Sequence, residues 1–326
     1  MKEALFYEKL DNNKVKCKLC PHNCIIKEGN LGICRVRENN DGTLYTINYN
    51  KLTSYNIDPI EKKPLYHYYP GSNIFSIGSF GCNLKCSFCQ NHSIAHEKPR
   101  SKDITSEELV NLVSLKNESI GLCYTYNEPS IWYEYVLDCA KRVKKMGLKN
   151  VLVTNGYIEQ KPLDMLLDYI DALNIDLKSF SENYYNDICS GDLESVLNTI
   201  NLANKKAIVE ISTLLIEDLN TSKEEIKRLA EWIASIDEDI PLHLNRYYPA
   251  YKMKLPPTTI EKINEARDLA KKYLNYVYIG NVMGVDNNTY CPNCNTKIVS
   301  RDSSFKVINI KDNKCKNCGK EINIKY

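Results

Sequence analysis

Three cysteines, Cys82, Cys86 and Cys89, stand in the run Gly81-Cys82-Asn83-Leu84-Lys85-Cys86-Ser87-Phe88-Cys89-Gln90-Asn91 with the spacing CxxxCxxC. A cubane [4Fe-4S] cluster normally takes four thiolate ligands, so three from one loop leave one iron open to another molecule. An open iron is a reactive iron. A zinc knuckle more often uses paired CxxC units, and a ferredoxin run needs a fourth cysteine followed by proline, which does not occur nearby. Two such paired units lie at the other end of the chain, Cys291-Pro292-Asn293-Cys294 and Cys315-Lys316-Asn317-Cys318-Gly319, with twenty residues between them. Each knuckle points two thiolates at a tetrahedral structural zinc, or at an iron of rubredoxin type, and the metal supplies folding energy that so short a segment cannot draw from a core. A third group, Cys17, Cys20, Cys24 and Cys34, has the looser form CxxCxxxCxxxxxxxxxC, and its soft ligands suit either zinc or a second iron–sulfur cluster. His22, inside that group, reads as a solvated loop residue. Of the fourteen cysteines, Cys123, Cys139 and Cys189 remain, and they read as small buried apolar residues.

These thiols must be held by regular elements. From Asn73 onward, short apolar runs alternate with helical patterns: 74–77, 121–125, 151–154, 172–176, 207–212 and 241–244 as strands, and 105–116, 131–146, 222–235 and 258–272 as helices. Thr105 or Ser106 and Ser222 are the expected N-caps, and Met146-Gly147 closes a helix. Right-handed crossovers wrap such a series into an α/β fold, a partial (β/α)6 TIM-like barrel with chemistry at the C-terminal strand ends. The central cysteines follow the first strand. The expected division is a small Cys-rich N-terminal module over 1–70, the barrel over 71–284 and a zinc-ribbon, rubredoxin-like module over 285–326. The run Gly42 to Tyr49 reads as a strand, and Pro64 to Gly71 as an extended connector ending in a turn. At the fourth strand, Asp176 and Lys178 fall on the same side of an extended segment, where they form either a structural ion pair or a matched pair of contacts for a zwitterion.

The CxxxCxxC pattern with an aromatic, Phe88, before the last cysteine resembles the radical S-adenosylmethionine (SAM) signature. The resemblance implies that the methionine amine and carboxylate of SAM bind the free iron and that Phe88 lies near the adenine. Thr125-Tyr126-Asn127-Glu128-Pro129 is similar, in its Glu-Pro, to the Gly-Gly-Glu-Pro element of glycyl-radical activating enzymes, which implies that Asn127 and Glu128 meet the methionine amine. Glu128 otherwise caps the helix that follows. Asp176-Leu177-Lys178 resembles the Asp-x-Lys motif of the same enzymes, which implies contact with both charged ends of the cofactor. Thr154-Asn155-Gly156 resembles their third strand end, although Val153 stands where they carry aspartate and Tyr248 where they carry histidine. The cation site built on that aspartate and the histidine's role do not carry over.

Taken with Cys17-Lys18-Leu19-Cys20-Pro21-His22-Asn23-Cys24 and Asp58-Pro59-Ile60-Glu61-Lys62-Lys63-Pro64-Leu65-Tyr66-His67, nearly the whole chain resembles the AmmeMemoRadiSam-system radical SAM enzyme family, a relative of pyruvate formate-lyase activating enzymes. The resemblance implies an oxidoreductase-type enzyme that cleaves SAM and abstracts hydrogen through a 5'-deoxyadenosyl radical. It also implies a one-electron donor such as flavodoxin or ferredoxin, and Memo-type and AMMECR-type protein partners. The alternative within that chemistry is activation of a glycyl-radical protein; an iron–sulfur electron carrier or sensor is the reading from another class. With 43 basic and 41 acidic residues, the near-neutral chain has no field to gather nucleic acid or anionic lipid, and Tyr66, Tyr68 and Tyr69 read as packing between modules. Its early apolar run, Ala4-Leu5-Phe6, is too short for a signal-peptide core or a membrane span, so a cytoplasmic location is expected.

Overall fold

The computed structural model describes residues 1–97, 99–302 and 305–326. At its centre an eight-stranded sheet carries seven parallel strands in chain order: Asn73–Gly78, Ser119–Tyr124, Lys149–Thr154, Ala172–Asp176, Ile208–Leu215, Leu242–Arg246 and Val277–Gly280. Neighbours in sequence are neighbours in the sheet, as repeated right-handed strand–helix–strand units produce. Ile74, Ile77, Leu122, Val151, Leu173 and Ile211 are fully buried, so these strands are covered on both faces. The covering helices include Ser106–Ser114, Tyr133–Lys145, Gln160–Leu167, Leu193–Ala203, Lys223–Ile236 and Ile260–Ala270. Thr105 and Glu108 form a reciprocal capping box, and the Ser222 and Thr259 hydroxyls accept from the backbone N–H groups of Glu225 and Lys262.

All six expected strands are present. A seventh parallel strand, Val277–Gly280, follows them; four residues between a helix tail and a loop offer too short a pattern to be separated from the helix by periodicity. The sheet also starts earlier than residue 71, because Ser54–Pro59 pairs antiparallel with Asn73–Gly78 along its whole length. The strand expected over Gly42 to Tyr49 is confined to Thr43–Thr46, inside a small sheet with Lys2–Glu3 and Arg37–Asn40. Among the described residues, no helix is long and apolar enough to cross a membrane.

The C-terminal segment folds on its own small core of Cys291, Ile298, Val299, Ile310, Cys315, Ile322 and Ile324. The connector 64–71 is its seat: Lys325 N–H donates to the His67 carbonyl at 2.8 Å, and Arg301 stacks over the Tyr66 ring at 4.4 Å. Behind this junction Glu210 is fully buried and accepts from the His67 backbone N–H and the His243 ring, both at 2.7 Å. The His67 ring nitrogens lie 2.8 Å from the Tyr278 hydroxyl and 3.0 Å from the Asn323 carbonyl, and burial holds the imidazole at about 4.

A histidine lowered in this way favours the folded state only while it is neutral. Its contribution is present above the ordinary value of about 6.5 and is lost as pH falls towards the folded value. Glu210 is also held low: the His243 hydrogen bond and charge outweigh the upward push of burial, so its contribution is lost only in more acid solution. The fold is therefore expected to be about 2 kcal/mol less stable at pH 5 than at pH 7. Urea midpoints of parent and His67→Gln at both pH values measure this; an equal pH dependence in the two would refute the assignment to His67.

Candidate active site

The loop after the first parallel strand is fastened from several sides. Asn127 bridges its entry, accepting from Ser79 N–H at 2.9 Å and donating to the Gly81 carbonyl at 3.1 Å. Gly81 sits at φ +90°, and a Cβ there would come 2.7 Å from Val36 and 2.8 Å from the Cys34 carbonyl, so only glycine fits. Asn83 donates to the Tyr157 carbonyl at 2.6 Å. Lys85 and Ser87 N–H donate to the carbonyls of Cys189 and Ile188, and the Ser87 carbonyl accepts from Lys252 and Met253.

This loop forms one wall of an open cavity of about 400 Å³. Cys82, Cys86 and Cys89 all line it, and so do Phe88, Asn127, Glu128, Thr154, Asn155, Asp176 and Lys178, which come from four separate strand ends. Asp176 and Lys178 do share one side, with Nζ 2.9 Å from Oδ2. Against the downward push of burial, Asp176 and then Cys86 hold the Lys178 ammonium charged. Phe88 is buried beside Tyr184, with Lys178 Nζ 6.0 Å from its ring centre.

Glu128 is almost completely buried, and both its oxygens are taken by the protein. Oε1 accepts from the Thr154 hydroxyl at 2.7 Å and Ser130 N–H at 2.9 Å, while Oε2 accepts from Asn155 N–H at 2.8 Å. It caps the short turn Pro129–Trp132 and ties the second strand end to the third, which is the capping alternative read from the sequence. Burial pushes its carboxyl upward even so. Asn155, positioned by that contact, directs its amide at Cys82 Sγ, 3.7 Å away, and at Asn83 Oδ1, 3.0 Å away.

Burial pushes the Cys82 thiol well up and Cys89 to about 11. Cys86 moves the other way, chiefly through the neighbouring Cys189 thiol, with the Lys178 charge adding to the effect. Cys189 ends a short π-helical turn, Tyr185–Cys189, and supports Cys86 from behind without lining the cavity. Cys189 is fully buried, as the sequence reading expects, and it also lies beside Cys86, a proximity that no local spacing reveals. The donor set facing the cavity is thus three thiols, with room beside them, and it fits a cubane that keeps one iron for another ligand.

Sequence reading also missed a second group at the rim. Tyr126 has φ +70°, a costly conformation for a bulky side chain, and its hydroxyl donates to Asp58 at 2.8 Å. Lys63 Nζ lies 2.7 Å from the same carboxylate and 4.7 Å from the Tyr126 ring centre. The run Asp58 to Lys63 carries both charged members of this group. Tyr248 lies outside the cavity, half exposed, with its hydroxyl donating to the Asn281 carbonyl at 3.3 Å.

At the C-terminus, Cys291, Cys294, Cys315 and Cys318 bring their sulfurs within 4.8 Å of one another, with pairs at 3.6 and 3.7 Å. A tetrahedral ion with bonds of about 2.3 Å needs sulfurs about 3.8 Å apart, so the group is shaped to hold a metal ion. Cys17, Cys20, Cys24 and Cys34 line a separate pocket with His22 and Arg37. His22 is part-buried there, 2.7 Å from the Asn83 carbonyl, and is not a freely solvated loop residue.

Comparison with known proteins agrees with this geometry. The model of the radical SAM superfamily matches residues 76–233. The uncharacterized protein MJ0808 of Methanocaldococcus jannaschii is 43% identical over 99% of both chains. The pyruvate formate-lyase-activating enzyme of Clostridium pasteurianum is 26% identical over 60% of this chain and 87% of its own. The solved structure of Streptococcus suis SuiB bound to precursor peptide SuiA, 14% identical, superposes with a TM-score of 0.52 over 69% of this chain and 52% of its own, a likeness of fold.

Proposed function

Because the chain belongs to the radical SAM superfamily, with homology to activating enzymes of glycyl-radical proteins, we propose that Cys82, Cys86 and Cys89 hold its [4Fe-4S] cluster and that SAM fills the cavity beside them. When bound, the cluster supplies the electron that breaks the sulfonium bond to the 5' carbon, giving methionine and a 5'-deoxyadenosyl radical that takes hydrogen from the substrate. The residues of the chain position and shield. Lys178 binds the carboxylate of the methionine part and Asp176 its ammonium, each meeting the opposite charge. Phe88 offers its ring to the adenine. Asn127 and Glu128 act through the backbone: they pin the strand ends whose Thr154 and Asn155 face the ligand. The single observation that carries this reading is that three thiols from one loop and the Asp176–Lys178 pair share one cavity.

The full resemblance of the chain supports a finer placing in the AmmeMemoRadiSam-system group, with Memo-type and AMMECR-type proteins as partners and flavodoxin or ferredoxin as the electron donor. The sulfur spacing supports zinc in the module over 285–326. The test uses anaerobically reconstituted, reduced protein. Adding SAM is expected to shift its electron paramagnetic resonance signal and to yield 5'-deoxyadenosine; an unchanged signal would refute the site. The activity named for the clostridial relative favours a second reading, activation of a glycyl-radical protein. A glycyl doublet arising in a protein partner would select that reading, and turnover of a small molecule without the doublet would select against it.

A further inference from the structure

The four N-terminal cysteines take no part in the site just described, yet they are built around one another. Cys17, Cys20 and Cys34 are buried, Cys24 is half-buried, and all four line one pocket. Arg37 lines the same pocket, only 2% exposed; its Nη1 is paired with Glu134 at 2.8 Å, and among the described residues its Nε has no hydrogen-bond partner. An unused buried N–H donor beside the four thiols suits an anionic thiolate centre.

The size of that centre follows from a comparison within the chain. The C-terminal sulfurs close to the spacing of a single tetrahedral ion. Among the described residues no other group of three or more metal-ligating side chains closes to within 4.8 Å, and the N-terminal four therefore stand wider apart. In this they resemble Cys82, Cys86 and Cys89. Thiolates that each bind a different iron of a cubane must stand further apart than thiolates on one ion.

The two wider sites are back to back. The Cys34 carbonyl would lie 2.8 Å from a Cβ on Gly81, the residue before Cys82, and His22 Nε2 lies 2.7 Å from the carbonyl of Asn83, the residue after it. One layer of backbone separates them. We infer that Cys17, Cys20, Cys24 and Cys34 hold a second iron–sulfur cluster, which relays electrons from a flavodoxin- or ferredoxin-type donor to the cluster at Cys82, Cys86 and Cys89. In each relay the donor loses one electron and the SAM-binding cluster gains it; the relay centre returns to its starting state, and no bond forms or breaks there. The relay role rests on the reading of Cys82, Cys86 and Cys89 given above.

Metal analysis of the full-length protein, purified and reconstituted anaerobically, tests the inference. About eight irons and about one zinc per chain are expected. About four irons with about two zincs would overturn the inference. In the reduced parent, two overlapping resonance signals are expected, only one of which moves on adding SAM. The Cys17→Ala/Cys20→Ala variant is expected to lose the unmoved signal and about half the iron. Its 5'-deoxyadenosine formation should fall at least about tenfold further with flavodoxin as donor than with dithionite; an equal fall with both would overturn the relay. If SAM moves neither signal, the reading of the Cys82 loop fails instead, while the iron count still decides the N-terminal site. Should the variant fail to fold, the parent's iron count and paired signals decide alone.

Discussion

Cys86→Ala is expected to lower 5'-deoxyadenosine formation at least about a thousandfold, because it removes a thiol that faces the cavity and is proposed to hold one corner of the cluster. Cys86 is the most telling of the three positions because its thiol alone is favoured towards the thiolate, through Cys189 and Lys178. Cys189 also supplies a control. It neighbours Cys86 and so is a thiol placed to step in. The Cys86→Ala/Cys189→Ala double variant should therefore show the loss in full, with iron content and SAM-dependent resonance falling together. Product formed at the parent's rate by the single and double variants, after anaerobic reconstitution and reduction, would show that the loop is not where the chemistry occurs.

Glu134→Ala is expected to destabilise the fold by about 3 to 5 kcal/mol, the effect of leaving a buried charge without its partner. Glu134 and Arg37 are each 2% exposed, and Oε1 of Glu134 accepts from Arg37 Nη1 and from Leu5 N–H, both at 2.8 Å. This contact fastens the N-terminal sheets to the helix Tyr133–Lys145. Truncating the acid strands the guanidinium in the protein interior. A double change to apolar side chains of similar size, Arg37→Met with Glu134→Leu, removes both charges and should recover most of the loss. Urea midpoints of the metal-loaded proteins measure both. A double variant as unstable as the single one would mean that packing, and not the unpaired charge, sets the cost.

Strand and helix alternation marked the six central strands, because each is a short apolar run. It passed over Ser54–Pro59, which lies in a polar stretch and becomes a strand only by pairing with Asn73–Gly78. It passed over Val277–Gly280 because four residues beside a helix tail are too short a pattern for periodicity to separate; pairing with Leu242–Arg246 decides that they are extended.

By itself the amino-acid sequence determined everything that depends on neighbours along the chain. The spacing of Cys82, Cys86 and Cys89 places three thiols in one loop, the two CxxC units place two thiols each on a turn, and the alternation of an extended segment sets Asp176 and Lys178 on one side. The tertiary structure alone decided what depends on residues far apart. Cys189 meets Cys86, Glu128 spends both oxygens on its own and the neighbouring strand end, Asp58 gathers Lys63 and Tyr126 at the rim, and the N-terminal thiols come to lie behind Gly81. The reason is physical. Local spacing is set by bond geometry, whereas these meetings arise from the twist of the sheet and the packing of separate crossovers, which no short stretch of chain encodes.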